Sequence, residues 1–425
     1  MRKLLLFLSC FFAVSSVAYG GNVDTFGIGS AETALGGAYS ATADDPYAVY
    51  YNPAGLMQLE GQIVSFGFEV LDPTLRIHDF TAVDGGGNAV LPSDVTFSDV
   101  SDTLLVPFAG YGAKINENFA LGIAAYVPYG LHIKWNSDPS VNPAAYNCFE
   151  SYYIRGVVTP TVAFRLTDNL TFGFGVSLGR SDAGTQRRIY APTLPSLNNK
   201  IIKSEFSDNF NVSYNFGLMY KPSKKVALGL TYRSRAKTDF TGSVEIEGTS
   251  YYTNATTKID HPEQIQGGIR YTPDDKLSIE LDVVWTHWST IDKYVVSFET
   301  PILGKTHEVF VRDWQDTRQV RVGVSYAVND VVTLRGGYFY DPSPIPDHTF
   351  DMAWPDADKK TYSFGAGFNF GRVKVDTVVQ YSVAESKREI GGESVELNES
   401  YDDGNVSLSA DGHLWGYGVT VSYTF

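Results

Sequence analysis

The sequence predicts an all-β protein: a transmembrane antiparallel β-barrel of fourteen strands with an N-terminal plug in its lumen. Three observations carry that expectation. Segment after segment alternates apolar and polar residues with period two, the connections between segments are short and long by turns, and no stretch after residue 20 reaches the ~18 apolar residues of a membrane helix. Composition agrees. Of 425 residues, 27 are Tyr, 26 Phe and 40 Gly, while 19% are charged, below the roughly 25% of soluble domains. A mean hydropathy of −0.13 is too low for a helical membrane protein, and 43% hydrophobic residues are too many for a disordered chain.

The first element is an export signal, residues 1–20. Arg2 and Lys3 lead into the apolar stretch from Leu4 to Val14, and small residues follow to Gly20, with cleavage after either Ala18 or Gly20. The apolar core is too short to span a membrane. Cys10 lies in this segment, which leaves Cys148 as the mature chain's thiol and excludes an internal disulfide. A net charge of −15 speaks against nucleic acid as a partner.

The strands are expected at 62–72, 103–115, 119–134, 152–166, 170–180, 211–220, 225–240, 257–272, 276–290, 312–328, 331–340, 359–370, 372–385 and 412–425. The last is the clearest. Trp415, Tyr417, Val419, Val421, Tyr423 and Phe425 share one face, and Gly416, Gly418, Thr420, Ser422 and Thr424 the other. In Leu277 to Trp285 the apolar face carries Ile279, Leu281 and Val283, while Glu280 and Asp282 take the opposite one. Six connections are tight turns: Asn116-Glu117-Asn118, Thr167-Asp168-Asn169, Pro222-Ser223-Lys224, Pro273-Asp274-Asp275, Asn329-Asp330 and Gly371-Arg372. Seven long connections alternate with them, which gives fourteen strands and two unlike rims, the layout of an outer-membrane barrel. A hairpin hidden in 241–256 or 291–311 would make sixteen. The terminal Phe425 with its alternating aromatics also resembles the assembly signal of such barrels, which places the protein in the outer membrane of a Gram-negative bacterium.

Residues 21–61 lack alternation and are rich in Gly, Ala and Ser, which suits a compact plug filling a barrel formed by 62–425. Within them, Leu35-Gly36-Gly37-Ala38-Tyr39-Ser40, Ala43-Asp44-Asp45 and Tyr51-Asn52-Pro53-Ala54-Gly55-Leu56 follow one another. Further on comes Tyr126-Val127-Pro128-Tyr129-Gly130-Leu131. In order and spacing these pieces resemble the FadL family of outer-membrane long-chain fatty acid and hydrocarbon transporters, with Tyr129 where the family more often has Phe. The residues themselves already single out Pro128: proline donates no ladder hydrogen bond and is confined to edges, strand ends or bulges. It either ends the third strand at the rim or breaks its pairing, with Gly130 supplying flexibility. The resemblance implies the break. There, Pro128, Tyr129 and Gly130 form a kink that opens the wall sideways, and the hatch residues Asn52, Pro53 and Ala54 pack against it as a lateral gate. Pro160, a second proline within a strand, has no functional reading.

The resemblance further implies passive uptake of a hydrophobic small molecule, captured by the long loops, held in a lumen pocket and released sideways into outer-membrane lipid beneath the lipopolysaccharide. A monomer is implied as well. Inward-facing Arg233, Arg270, Arg321 and Arg335 are candidates to hold a carboxylate, or else members of ion-pair networks bracing the lumen; Phe26 resembles the family's hatch aromatic at the pocket. No cofactor, metal set or catalytic residue is expected: the seven His show no His-Glu-x-x-His spacing, and no Gly-x-Ser-x-Gly occurs. The acidic run Glu389, Glu393, Glu396, Glu399, Asp402 and Asp403 reads as a solvated loop. A barrel of this kind serving as a structural, secretion or attachment partner, without lipid transport, is the alternative.

Overall fold

The computed structural model describes residues 21–24 and 26–425; the expected signal segment lies outside the described residues. Fourteen antiparallel strands form the wall. They are β1 (Gln62–Val83), β2 (Leu104–Asn116), β3 (Phe119–Lys134), β4 (Glu150–Thr167), β5 (Leu170–Arg188), β6 (Ile201–Ser223) and β7 (Val226–Arg233), followed by β8 (Gln264–Tyr271), β9 (Leu277–Thr286), β10 (Thr317–Ala327), β11 (Val332–Asp341), β12 (Lys359–Phe370), β13 (Val373–Ala384) and β14 (Asn405–Thr424). Each pairs with the next, and β14 pairs back onto β1 from Ile63↔Thr424 to Val83↔Asn405, which closes the ring. No helix among the described residues is long and apolar enough to cross a membrane.

The wall wears its apolar face outward. On β9, Ile279, Leu281 and Val283 are exposed while Glu280 and Asp282 are buried. On β14, Trp415, Tyr417, Val421 and Tyr423 are exposed and Thr420 is buried. A soluble sheet would reverse both choices; a barrel in lipid requires them.

The strands differ from their expected spans mainly at the long-loop rim. β1, β5, β6 and β14 run well beyond it, into stretches expected to be irregular. Strands β7, β8, β9 and β10 are shorter than expected, and their place above the wall is taken by two hairpins, Phe240–Ile246 with Tyr252–Thr257 and Lys293–Ile302 with Lys305–Val311. The first hairpin continues the sheet from the top of β6, through pairs such as Thr241↔Ser207. The second attaches to the first at Ala255↔Phe298. Neither enters the wall, because β7 pairs directly with β8 at Arg233↔Gln264 and β9 with β10 at Thr286↔Thr317. The hairpins are real, yet the strand count stays at fourteen. Alternation alone does not mark where a strand leaves the membrane, since a two-faced sheet continues with the same period above it.

Helical pieces are short: α1 (Ser30–Ala34), α2 (Ala48–Tyr51), a 3₁₀ turn at Pro53–Gln58 and α3 (Val395–Glu399). The last lies in the acidic run, which is solvated as expected at Glu389, Glu393, Glu399, Asp402 and Asp403 but turns inward at Glu396. Glu396 is only 8% exposed and accepts a hydrogen bond from the Val311 backbone N–H at 3.0 Å. Burial, partly opposed by Arg312, pushes its carboxyl up to about 7. Beside it Arg312, 2% exposed, pairs with Asp351 at 2.6 Å and donates to the Tyr294 hydroxyl at 3.0 Å, so the long loops share a buried polar centre as well as an aromatic core around Phe80, Trp135, Phe350 and Tyr401.

Candidate functional site

The seam between β2 and β3 is incomplete. Its pairing runs from the tight turn up to Ala109↔Ala125 and stops. Above, β3 is joined to the chain leading into β2, where Val100 N–H bonds Lys134 C=O at 2.8 Å, Lys134 N–H bonds Ser101 Oγ at 3.1 Å and the Lys134 side chain pairs with Asp102. Between these two closures is a window, edged by residues 103–108 and 126–133. Had the register continued, Val106 would face Pro128 and Pro107 would face Val127. Both edges therefore carry a residue that donates no ladder hydrogen bond. On its other side β3 bulges, with a register shift between Tyr126↔Val157 and Tyr129↔Arg155, which sets Val127 and Pro128 against the single residue Gly156. Pro128 thus breaks pairing inside β3 rather than ending it. The short strand Gly21–Asp24 lines part of the gap, its backbone in register with Tyr129, Gly130 and Leu131.

Inside the ring, residues 26–60 touch the inner face on every side. Ser30 N–H donates to Thr420 on β14, and Thr33 Oγ1 to Glu69 on β1 at 2.5 Å. On β9, the Asp282 carboxylate receives the N–H groups of Tyr39 and Ser40, while Glu280 receives Ala41 N–H at 2.6 Å and Thr42 Oγ1 at 2.5 Å. Hydrogen bonds of this kind each contribute on the order of 1 kcal/mol. Asn52 bonds the carbonyls of Ser40 and Leu218, and Ala54 C=O receives Thr171. The wall is flattened to admit this turn: a Cβ at Gly173 would lie 2.2 Å from the Pro53 carbonyl carbon, and one at Gly217 2.1 Å from Asn52 Oδ1. Asn52, Pro53 and Ala54 are therefore seated against β5 and β6. Beside them Tyr50 meets the kinked strand edge-to-face at Tyr126, 5.3 Å away, and Val49 and Leu56 pack on the same strand at Gly122.

Behind the window is a chamber of about 380 Å³ lined by Tyr50, Tyr126, Pro128, Tyr129, Arg155 and Arg233. Of the four arginines expected at a pocket, only Arg233 lines it. It lies over the Tyr50 ring at 4.5 Å and bonds Gln264 and Gln266, both at 3.0 Å. Arg321 instead bonds Gln319 and the Gly37 carbonyl. Arg335 is paired with Asp376 at 2.8 Å, and Arg270 is half-buried near the short-turn rim, in register with Glu280. Sequence reasoning passed over Arg155, 3% exposed on β4, which bonds Asn211 at 2.8 Å and Ser213 at 3.0 Å. Among the described residues neither Arg155 nor Arg233 forms a direct ion pair; Asp208, held by the same Asn211 that Arg155 bonds, is an acidic group that bears on Arg155.

Two apolar spaces flank it. A cleft of about 580 Å³ beside β1 and β14 is lined by Phe26, Leu75, Ile77, Trp135, Phe350 and Leu414. Phe26 enters it from a small cluster with Leu71, Leu104 and Phe339, next to the window edge. A groove of about 560 Å³ on the long-loop side lies among Phe206, Val244, Ile259, Val296, Phe310 and Trp354. Its floor is the two hairpins that the sequence left as loops.

A profile of outer membrane protein transport proteins (OMPP1/FadL/TodX) matches residues 9–425. The chain is 24% identical to the long-chain fatty acid transport protein of Escherichia coli K12, across 92% of each chain. Its fold is similar to that of a solved Pseudomonas aeruginosa FadL homologue, with a TM-score of 0.80 at 20% identity over 96% of this chain and 100% of the other. It is also similar to the Pseudomonas putida toluene transporter TodX, with a TM-score of 0.67 at 17% identity over 95% and 99%. With a matching profile over nearly its whole length, the chain belongs to the OMPP1/FadL/TodX family of outer membrane transport proteins and is a β-barrel of the outer membrane.

Proposed function

We propose that the protein carries hydrophobic molecules, a long-chain fatty acid foremost, from the cell exterior into the outer membrane. The ligand is captured in the rim groove, passes the cleft at Phe26 and the chamber, and leaves sideways through the β2–β3 window. Residues 21–61 act as a plug that denies the ligand a straight path. The observation that supports this reading is the unpaired stretch between β2 and β3, which borders the chamber because Pro128 and Tyr129 belong to both. An apolar solute that exits there never crosses water, and water is what opposes its transfer. The two unpaired arginines favour an acid over a neutral hydrocarbon, because a carboxylate gains charge-assisted bonds to them. Catalysis has no part in the reading.

The test is uptake of radiolabelled oleate and toluene by cells lacking their own transporter. The intact protein is expected to speed oleate entry. Arg155→Gln with Arg233→Gln removes a charge-assisted bond from each arginine and is expected to slow oleate by roughly a hundredfold or more and to leave toluene unchanged. Correctly inserted protein that speeds neither substrate overturns the reading.

A further inference from the structure

The wall break does not by itself keep β3 bent away from β2; something must hold it. We infer that His261 is the positioning residue of the window, tying the bend of β3 to the β7–β8 connection and, through that connection, to the rim groove; the inference rests on the transport reading above.

His261 is fully buried between two tyrosines. Its ring stacks on Tyr129 at 4.9 Å and 23°, and lies against Tyr153 at 4.7 Å and 31°. Tyr129 is the first residue of β3 to regain its partner on β4 after the bulge. Both phenols donate into the same piece of chain, Tyr129 to the Pro262 carbonyl at 3.0 Å and Tyr153 to the Ile259 carbonyl at 2.9 Å. The imidazole itself is fixed from the side. Nε2 and Ser181 Oγ are 2.9 Å apart, and Asn211 donates to that same oxygen. The backbone of His261 exchanges hydrogen bonds with Ala236, and Thr238 Oγ1 holds Ile259. Residues 259–262 thus reach from the β7–β8 side of the ring to β3 and β4, where two rings and two hydroxyls grip them.

The same four residues end in the groove. Ile259 lines it, and so does Trp354, which packs edge-to-face on Tyr153 at 5.2 Å. Ile259 is part of the groove's lining, so the groove keeps this shape only while residues 259–262 are seated. A ligand that fills it therefore favours the seated state over the unseated one, and the seated state is the one in which Tyr129 is drawn inward. Capture above and the open window below are then one equilibrium.

The experiment places Val106→Cys and Val127→Cys on the facing edges of the window, with buried Cys148 left in place, and follows oxidative cross-linking in outer-membrane preparations with and without oleate. Folded barrel is scored by heat-modified gel mobility. In the otherwise native protein, oleate is expected to slow cross-linking. His261→Ala is expected to raise the rate without oleate by roughly fivefold and to abolish the oleate effect. His261→Phe, which keeps both ring contacts, is expected to restore most of the native behaviour; a merely structural role for the imidazole's hydrogen bonds predicts no such rescue and overturns the assignment. Where His261→Ala yields no folded barrel, Tyr129→Phe, which removes the bond to Pro262 and keeps the ring, replaces it and is expected to change the rate in the same direction. A folded His261→Ala protein, or that replacement, which cross-links like the native one sinks the clamp, and an oleate-independent native rate sinks the link to the groove. A protein that takes up neither oleate nor toluene yet shows the His261 effect refutes transport and leaves the clamp standing.

Discussion

Two seams of the same barrel meet proline differently. Along β1–β14 the ladder runs the length of both strands with one shift between His78 and Thr81, although Pro73 stands within it opposite Leu414. The β2–β3 seam stops at Ala109↔Ala125. Pro73 lies just past Leu71↔Leu104, the last pair of β1 with β2, so its missing donor removes little. Pro160 behaves similarly: it keeps its place opposite Ile123, while the ladder to β5 skips Thr159 and Pro160 and resumes in the same register at Thr161↔Gly175. A single proline thus costs a rung. The wall opens only where proline stands on both edges, Pro107 and Pro128, and a bulge turns one of them inward.

That comparison is easiest to break by mending the damaged seam. Pro107→Val with Pro128→Val returns two donors, each worth about 1 kcal/mol, and is expected to shift the window toward closure and cut oleate uptake by roughly tenfold or more at equal amounts of folded barrel. Unchanged uptake would show that the ligand leaves elsewhere. The converse is to damage the sound seam. Val419→Pro on β14, which has a partner on either side, is expected to cost about 1–3 kcal/mol, seen as a lower temperature for loss of the compact gel band, and to open no second exit: uptake per folded molecule stays native. A third variant sharpens the role of the enclosed segment. Glu280→Gln with Asp282→Asn keeps the wall and weakens its grip on residues 39–42, and is expected to raise sensitivity to a bulky hydrophilic antibiotic such as vancomycin by roughly fourfold.

The smallest effect concerns the cap above both seams. Burial raises the Glu396 carboxyl from its ordinary value to about 7, so folding favours its protonated form. The stability this gives is complete below the unfolded value and is lost as pH rises through about 7. Proteolysis of the long-loop cap is therefore expected to be slower at pH 5 than at pH 8, and Glu396→Gln to remove the difference.

How much of this the sequence carried depends on distance from the short turns. β3 begins and β12 ends at the residues expected, because Asn116-Glu117-Asn118 and Gly371-Arg372 fix those ends with turn chemistry. The far ends were misplaced because alternation continues into the hairpins above the wall. Pro128 stood out within its own strand. Pro107 did not, for its meaning lies in a register with β3 that no local pattern states. Arg155 left a trace, a lone charge among Tyr152, Tyr153, Ile154 and Val157, but its lack of a carboxylate partner is a property of three strands at once. His261 falls inside a segment expected to be continuous strand from 257 to 272, and its role depends on that strand not forming there.

The bond from Ser30 to Thr420 joins residues 390 apart in sequence. An early part of the chain is thus finished by its last strand, and α1 has no complete seat until β14 has been delivered. Assembly of this molecule is a matter of waiting: contacts of such long range form slowly, and until they do the segment that will be enclosed stays accessible. A chain cut short before β14 lacks more than its seam, because the lining of its own interior has lost one of its moorings.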